Sequence, residues 1–310
     1  MSGEGRHGPA EAAGAGRNAP RVAGLSEDAL RAAGRTAARR ALAEDLAGLG
    51  DLTGRAFPAP GRARVEARAP GVLSGSVPFV EAARLVDPEL RVDFAVADGE
   101  SFATGDTIAV LDGRLSSILT FERTGLNFLG RLSGVATATA RYVAEAVAGA
   151  RQAGLDRAPA IAATRKTTPG LRALEKQAVA DGGGSPHRFG LFDGAMIKDN
   201  HVAAAGGLSQ AVAAVRAGLS HAHLLEAEVD TLEQLDEALA VGVPVVLLDN
   251  MDAATVREAV VRAAGRAVLE ASGGITLERV REFAATGVDV ISVGALTTGV
   301  AWVDVSMVVE

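Results

Sequence analysis

The amino-terminal half of the chain combines one helical pattern with several short strand-like runs. From Ser26 the run SEDALRAAGRTAARRALAEDLAG places apolar residues at helical spacing behind a serine cap and two acids, which predicts a helix. Short β-branched or alternating runs, separated by Pro and Gly, then predict strands over residues 62–68, 71–75, 90–96 and 107–111. One helix with several short strands predicts a small α+β domain.

The carboxy-terminal half repeats a strand-like run and an amphipathic run at nearly constant spacing. A long helical pattern that begins at Leu115 leads into this repeat. Successive strand-like runs end 21, 23 and 22 residues apart, and helical patterns over residues 231–240, 253–264 and 276–286 fill the gaps. The strand-like runs end near Glu228, Asp249, Ser272 and Gly294.

Each predicted helix of the repeat follows a strand, and Thr231 and Thr276 stand where helix N-caps belong. Strands that alternate with helices at this spacing predict βα units, arranged in a parallel barrel or a doubly wound sheet. In both architectures the binding chemistry gathers at the carboxyl ends of the strands. The residues that follow each strand are therefore the first candidates for function.

Acidic residues follow the first two strands of the repeat, and glycines follow the last two. Backbone N–H groups in glycine turns before helices bind phosphate, which makes Ser272-Gly273-Gly274 and Gly294 candidates for a phosphate site. The alternative is an ordinary βα turn, where glycine is also common. Glu228 and Asp249 suit ribose hydroxyls, a Mg²⁺ ion or a developing cation, and a helix-capping role is the alternative for them.

Composition limits the classes of protein that fit. The 310 residues are 48% hydrophobic and 22% charged, which excludes a disordered protein, although the Gly-, Ala- and Pro-rich residues 1–24 predict a disordered tail. A net charge of -7 without a long basic run argues against nucleic-acid binding. The absence of cysteine excludes disulfides and thiolate-bound metals and favours a cytoplasmic protein. No stretch approaches the roughly 18 apolar residues of a membrane span.

Cations concentrate in two short strings, ATRKTTPGLR at residues 163–172 and GGGSPHRFGLFDGAMIKDNH at residues 182–201. Their Gly and Pro residues predict loops, where functional residues concentrate. A solvated charged surface is one interpretation, and a binding site for a polycarboxylate or a pyrophosphate is the other. The clustered cations are Arg165, Lys166, His187, Arg188 and Lys198.

Lysine is scarce in this chain, since Lys166, Lys176 and Lys198 are the only three among 31 Lys and Arg residues. A position that keeps lysine in an arginine-rich chain is explained by a need for a compact ammonium group, and random drift is the alternative. Lys176 lies on a helical stretch outside the cluster of cations. We therefore expect Lys176 to tolerate arginine.

The motifs of the chain resemble, in order, those of the quinolinate phosphoribosyltransferase family, also named nicotinate-nucleotide pyrophosphorylases (carboxylating). The resemblance runs from about Ser26 to the last motif, and no single motif carries it. The motifs are EDLAGLGDLT, GVLSG, ERTGLNFLGRLSGVATAT, TRKTTPGLR, GGG followed by HR, IKDNHV, EVD, LLDN, LEASGG and VGALT.

The resemblance implies an α/β protein of two domains. An N-terminal α/β sandwich domain would span residues 25–128 together with residues 300–310, and an incomplete parallel α/β barrel would span residues 129–299. It further implies a homodimer with shared active sites. The implied reaction transfers phosphoribosyl from phosphoribosyl pyrophosphate to quinolinate with Mg²⁺ as cofactor, and it releases carbon dioxide and pyrophosphate to give nicotinate mononucleotide.

The resemblance also implies a role for each site residue. Those that would bind the pyridine dicarboxylate are Arg165, His187, Arg188 and Lys198, with Arg123 reaching across from the other subunit. Those that would act on the phosphosugar are Lys166, which contacts the donor, and Glu228 and Asp249, which contact the ribose and Mg²⁺. Those that would bind the 5′-phosphate are Ser272, Gly273, Gly274 and Gly294.

Three positions depart from the family pattern, and they leave the acceptor acid open. Ala163 stands where the family commonly has Asp, Pro186 where it has Asn, and Ser116 where Arg is frequent. Loss of the Asp would free or redirect Arg165 or Lys166. The alternatives are a paralogue that acts on another aromatic acid or acceptor, including the molybdenum-transport-associated relative, and a catalytically silent paralogue. A silent paralogue would be expected to lose its acids, which this chain keeps.

Overall fold

The computed structural model describes residues 25–310, and the predicted tail at residues 1–24 lies outside the described residues. The first helix, α1 (Glu27–Leu46), begins where the sequence predicts because Ser26 caps it. The Ser26 Oγ accepts a hydrogen bond of 3.2 Å from the N–H of Ala29. Helix α1 packs against α2 (Ser76–Val86).

A four-stranded antiparallel sheet lies beside these helices. Its strands and those of a separate pair are β1 (Pro60–Ala67), β2 (Gly71–Val72), β3 (Arg91–Phe94), β4 (Ser101–Phe102), β5 (Thr107–Arg114) and β12 (Val305–Val309). The order in the sheet is β12-β1-β5-β3, and β2 pairs with β4. Ala63, Val65 and Ala67 of β1 are buried at alternate positions, as expected of a strand with one face on the core. The four strands predicted in this half are confirmed, although the one over residues 71–75 shortens to two residues.

A single helix, α3 (Leu115–Gln152), connects the two halves of the molecule. Its 38 residues give a length of about 57 Å. It contacts strands β1, β5 and β12 at one end and β6 (Ala160–Ala162) at the other. Glycines allow these close contacts: a Cβ on Gly125 would lie 2.9 Å from the Phe79 ring. The predicted domain boundary between residues 128 and 129 falls within α3 and stays a prediction.

The second sheet has six parallel strands in the order β6-β11-β10-β9-β8-β7. The other five strands are β7 (Ala195–Ile197), β8 (Leu225–Val229), β9 (Val245–Asp249), β10 (Val268–Ser272) and β11 (Val290–Ser292). Within residues 25–310 the edge strands β6 and β7 do not pair with each other, so the sheet is open. The fold class is therefore α/β, with a small antiparallel sheet domain and a parallel sheet with helices.

Helices follow the strands of the parallel sheet. The helices are α4 (Arg172–Asp181), α5 (Asp199–Ala205), α6 (Leu208–Gly218), α7 (Leu232–Ala240), α8 (Ala253–Ala263), α9 (Val280–Ala284) and α10 (Ala295–Thr298). The N-cap prediction at Thr231 is confirmed, since its side chain accepts from the N–H of Gln234. The helix predicted over residues 276–286 is wrong at its start. Residues 277–279 form turns instead, and Arg279 takes the N-cap position that was predicted for Thr276.

No helix among the described residues is both long and apolar enough to cross a membrane.

Candidate active site

Side chains from the inner face of the parallel sheet line one cavity of about 440 Å³. Because strand side chains alternate, every second residue of β8, β9 and β10 points to this space, whereas Ala227, Val246 and Ala271 are buried in the core. Eight of the residues predicted from the sequence line the cavity: Arg165, Lys166, His187, Arg188, Lys198, Glu228, Asp249 and Ser272. We call the part around Glu228 and Asp249 the carboxylate end, and the part around Arg165 and Arg188 the guanidinium end.

The carboxylate end stands on the ends of adjacent strands. Glu228 near the end of β8 accepts a short hydrogen bond from Lys198 Nζ, so this lysine is paired with a carboxylate across the cavity. Burial, followed by the neighbouring Glu228 and Asp230 charges, raises the pKa of Asp249, while Lys198 and Lys166 partly offset that effect. Asp249 is therefore half-buried among two other acids and two lysines.

Glycine turns form the floor of the carboxylate end. Gly273 and Gly274 have positive φ angles of 97° and 60°, which favour glycine, and a Cβ on Gly273 would collide with Asn250. A Cβ on Gly294 would lie 3.2 Å from Cδ of Lys166, so this glycine lets the lysine side chain pass. The three predicted glycines thus lie beside the cavity. Of the three, Gly294 is the one that lies against Lys166.

The guanidinium end contains two arginines close enough to repel each other. Burial, and then the positive charge of Arg165, lowers the pKa of Arg188. Arg188 donates 3.3 Å to the carbonyl of Gly194 and 3.0 Å to Met196 Sδ. The Nε of Arg165 is buried and has no hydrogen-bond partner among residues 25–310. A buried guanidinium donor without a partner is costly and is explained by a ligand that accepts from it.

The unpartnered Arg165 Nε lies close to a departure from the family pattern. Ala163, which stands where an Asp is common, is fully buried and also lines the cavity. Its methyl group offers no acceptor to Arg165. Pro186 contributes only its carbonyl, which accepts from Lys176. Ser116 lies far along the chain, at the start of α3, where its N–H donates to the carbonyl of Phe57.

His187 rests on two buried glutamates that sequence reasoning missed. Its Nε2 lies 3.1 Å from Glu270 and 3.6 Å from Glu226, and the three residues bring possible metal-ligand atoms within 4.8 Å of one another. The sequence did carry a signal for them. Each glutamate stands two residues before a strand-end polar residue, Glu228 or Ser272, and a spacing of two places both on the same face.

The glutamate pair controls the charge of His187. Burial opposes protonation of the ring, but the hydrogen bonds and charges of Glu226 and Glu270 outweigh it and raise the pKa of His187 to about 9. The N–H of Arg188 also lies 2.7 Å from Nδ1, which favours an unprotonated Nδ1. That contact joins adjacent residues in a tight ring and is weak, so the two carboxylates decide the protonation state. His187 has a φ of 52°, a strained value for a residue with a side chain.

Arg123 does not share the cavity with the other predicted residues of its own chain. It lies on α3 and lines a separate cavity of about 820 Å³, together with Asn127, Arg131 and Trp302. Lys176 does not line the active-site cavity either. It is completely buried beneath the loop that carries His187 and Arg188. The expectation that Lys176 tolerates arginine is therefore revised, since the larger side chain has no free space there.

Comparison with known proteins identifies the family of this chain. Residues 51–133 match the N-terminal domain and residues 135–308 the C-terminal domain of "Quinolinate phosphoribosyl transferase". The chain belongs to the quinolinate phosphoribosyltransferase family. A nicotinate-nucleotide pyrophosphorylase (carboxylating) of Mycobacterium leprae is 42% identical over 287 residues, which cover 89% of this chain and 96% of that protein.

Relatives of the family in other lineages and solved structures extend the match. A mitochondrial quinolinate phosphoribosyltransferase (decarboxylating) of Nicotiana tabacum is 38% identical over 291 residues, covering 87% of this chain and 80% of that protein. The solved nicotinate-nucleotide pyrophosphorylase of Francisella tularensis superimposes with a TM-score of 0.84 at 35% identity, covering 90% of this chain and 97% of that one. The similarity to the quinolinate phosphoribosyltransferase family thus covers most of the chain, including both sheets.

Proposed function

We propose that this chain transfers phosphoribosyl from phosphoribosyl pyrophosphate to quinolinate and gives nicotinate mononucleotide, carbon dioxide and pyrophosphate for NAD biosynthesis. One observation carries the proposal: a single cavity has half-buried guanidinium groups at one end and strand-end carboxylates beside glycine turns at the other. A dicarboxylate acceptor suits the first end and a phosphosugar donor suits the second. The names of the relatives describe the same reaction.

The guanidinium end supports binding of the pyridine dicarboxylate. Arg165 offers its unpartnered Nε, and Arg188, His187 and Lys198 surround the same space with further positive charge. Charge-assisted hydrogen bonds from arginine to carboxylates are strong and directional. We infer that the two ligand carboxylates are held here with the ring nitrogen turned toward the donor.

Glu228 and Asp249 are placed to stabilise the transition state. The ring nitrogen attacks C1′ of the donor as pyrophosphate leaves, and positive charge develops on the ribosyl ring. Fixed carboxylates near that ring lower the energy of the transition state more than that of the ground state. Carbon dioxide then leaves and its bonding electron pair stays on the ring carbon, where the positive charge of the adjacent ribosylated nitrogen stabilises it. A proton takes the place of carbon dioxide on the ring carbon.

The residues at the carboxylate end fit Mg²⁺. Mg²⁺ binds oxygen ligands and commonly takes only one or two protein carboxylates together with substrate phosphates. Glu228 and Asp249 would supply those oxygens, and the acidic neighbours Glu228 and Asp230, which together with burial raise the pKa of Asp249, favour a cation beside it. When bound, Mg²⁺ would neutralise the charge of the departing pyrophosphate.

The position of Arg123 supports a dimer with shared sites. Within one chain Arg123 opens onto a cavity different from that of Lys198. In a twofold dimer the same surface of each copy can face the other copy's cavity, so Arg123 would complete the neighbouring site. We also infer an incomplete barrel, supported by the open, inward-facing parallel sheet, and a cytoplasmic location, supported by the absence of cysteine.

The test is a product assay. The protein is incubated with phosphoribosyl pyrophosphate, Mg²⁺ and quinolinate, and the products are identified by mass. We expect nicotinate mononucleotide and equal amounts of pyrophosphate and carbon dioxide. No nucleotide under conditions where the substrates are stable would contradict the proposal.

Ala163 favours one alternative function, the use of a different acid. The family Asp is absent next to Arg165, whose Nε is left free for a ligand. An acceptor with a different carboxylate pattern could use this donor. A parallel assay with nicotinate distinguishes the two, because nicotinate turnover without quinolinate turnover would support the alternative.

A further inference from the structure

Helix α4 directs two adjacent, completely buried charged residues toward different loops of the active site. Glu175 and Lys176 are both 0% exposed, and neither lines the cavity. Burying a charge is expensive unless its hydrogen bonds are satisfied, so residues of this kind are retained for a specific arrangement of the chain around them. The partners of the two side chains show which arrangement each one holds.

Lys176 holds the loop of the guanidinium end. Its Nζ donates to the carbonyl of Pro186 and, at 2.9 Å, to the carbonyl of Arg188, the residues on either side of His187. The ring of Phe189 lies 5.9 Å from the same ammonium group. Desolvation by this burial lowers the pKa of Lys176 to about 8. Two carbonyls from one short loop therefore converge on one ammonium group.

Glu175 holds the part of the 163–171 loop that carries Lys166, the residue proposed to contact the donor, whereas the carbonyl of the preceding Arg165 accepts from Arg172. Its two oxygens accept from the N–H and the hydroxyl of Thr168, at 3.0 Å and 2.7 Å. Arg131 of α3 donates to Glu175 over 2.7 Å and also to the carbonyl of Thr297 in α10. The Thr297 hydroxyl in turn donates 2.6 Å to the carbonyl of Lys166. A continuous set of hydrogen bonds thus runs from Glu175 to the backbone of Lys166.

We propose that Lys176 and Glu175 are positioning residues that serve opposite ends of the site, Lys176 the acid substrate and Glu175 the phosphoribosyl donor. This assignment of substrates rests on the proposed function. Neither side chain touches the ligands, and each acts through the backbone to which it is bonded. Because misplacing a binding group by about 1 Å can cost as much as 100-fold, loss of either anchor is expected to weaken one substrate selectively.

The experiment compares KM values for both substrates in Lys176→Met and Glu175→Gln. We expect Lys176→Met to raise the KM of quinolinate about tenfold with less than a twofold change for phosphoribosyl pyrophosphate. We expect Glu175→Gln to show the reverse pattern. Gln177→Ala is the matched control, because the side chain of this neighbour on α4 bonds to Asp181 and, within residues 25–310, to neither active-site loop, so it should change neither value. Partial unfolding lowers the amount of active enzyme but does not change KM, so the pattern is separate from stability.

Equal increases of both KM values in each variant, or no change in either, would overturn the proposal and leave α4 a purely structural element. If Lys176→Met or Glu175→Gln does not fold, Lys176→Gln and Glu175→Asp replace them. Calorimetric binding of each substrate alone gives a second measurement. Wild-type protein that binds phosphoribosyl pyrophosphate but not quinolinate would contradict the proposed function. In that case donor binding still tests the positioning proposal. Loss of donor binding in Glu175→Gln with unchanged donor binding in Lys176→Met supports it, and any other pattern overturns it.

Discussion

At the carboxylate end of the cavity the functional groups stand on strand ends, whereas at the guanidinium end they stand on loops. Glu228 is the last residue but one of β8 and Asp249 is the last residue of β9, and the pairing of these two strands fixes the separation of the two acids. Arg165 and Arg188 lie on irregular backbone that two side chains of α4, Arg172 and the buried Lys176, hold in place. Sheet hydrogen bonds therefore position one end, and side-chain hydrogen bonds position the other.

This contrast has a consequence for evolution of substrate preference. A change in a loop alters its geometry without disturbing the sheet, and the departures Ala163 and Pro186 both lie beside the guanidinium end. The strand-end acids leave no such freedom, because moving them requires a change of strand register. We infer that the phosphoribosyl donor stays the same when substrate preference evolves, whereas the acid substrate can change.

The largest effect is expected at the carboxylate end. Asp249→Asn and Glu228→Gln should each lower kcat by about 100-fold or more, because each removes charge that opposes a cation formed in the transition state. The KM of quinolinate should change little. Asp230→Asn is the control, since this exposed acid follows β8, the strand that carries Glu228, and does not line the cavity. The measurement is steady-state kinetics. An increase in the KM of quinolinate as large as the loss of kcat would mean that these acids act in binding of the acid substrate instead.

Lys198 belongs to both ends of the cavity, since it bonds to Glu228 and is proposed to bind the acid substrate. Its replacement tests whether the site requires the geometry of this side chain or only its charge. Lys198→Arg should lower kcat/KM about tenfold, because the longer planar group cannot keep the compact bond to Glu228. Wild-type kcat/KM in this variant would mean that the site requires only a positive charge here.

The charge of His187 sharpens the description of the guanidinium end. Its pKa rises from 6.5 to about 9 on folding, so its stabilising effect is complete below pH 6.5 and disappears as the pH passes 9. The excess stability of wild type over His187→Gln should therefore fall by about 3 kcal/mol between pH 6.5 and 9.5. Urea unfolding measures it, and the exposed His221→Gln is the control. A difference that stays constant with pH would mean that the ring is neutral throughout.

The smallest signal is expected from a test of Arg123, the residue predicted to reach the site from the other subunit. Arg123→Ala and Glu228→Ala, each inactive alone, should regain about a quarter of the wild-type activity after subunit exchange, because half of the dimers are mixed and each has one intact site. Activity is measured before and after mixing. No recovery after exchange that mass spectrometry has verified would place Arg123 in its own chain's site or outside it.

Much of the fold follows from the sequence, because regular hydrophobic spacing reports regular structure. The strand ends at Asp249 and Ser272 and the helix from Leu115 are found where the pattern predicts them. Loops carry no period, so the sequence did not reveal that Lys176 lies beneath the His187 loop. Thr276 misled the prediction because three turn residues, 277–279, have the composition of a helix start.

The pairing of β12 with β1 bears on how the protein is made. Five residue pairs join strands whose sequence positions differ by about 240, and Arg64 of β1 contacts Glu310 just beyond β12. A ribosome must therefore deliver residue 309 before the first sheet can gain its edge strand. The four-stranded antiparallel sheet therefore lacks its edge strand until the six-stranded parallel sheet has been synthesised. A stop codon near residue 300 would remove β12 and so damage the part of the molecule that was translated first.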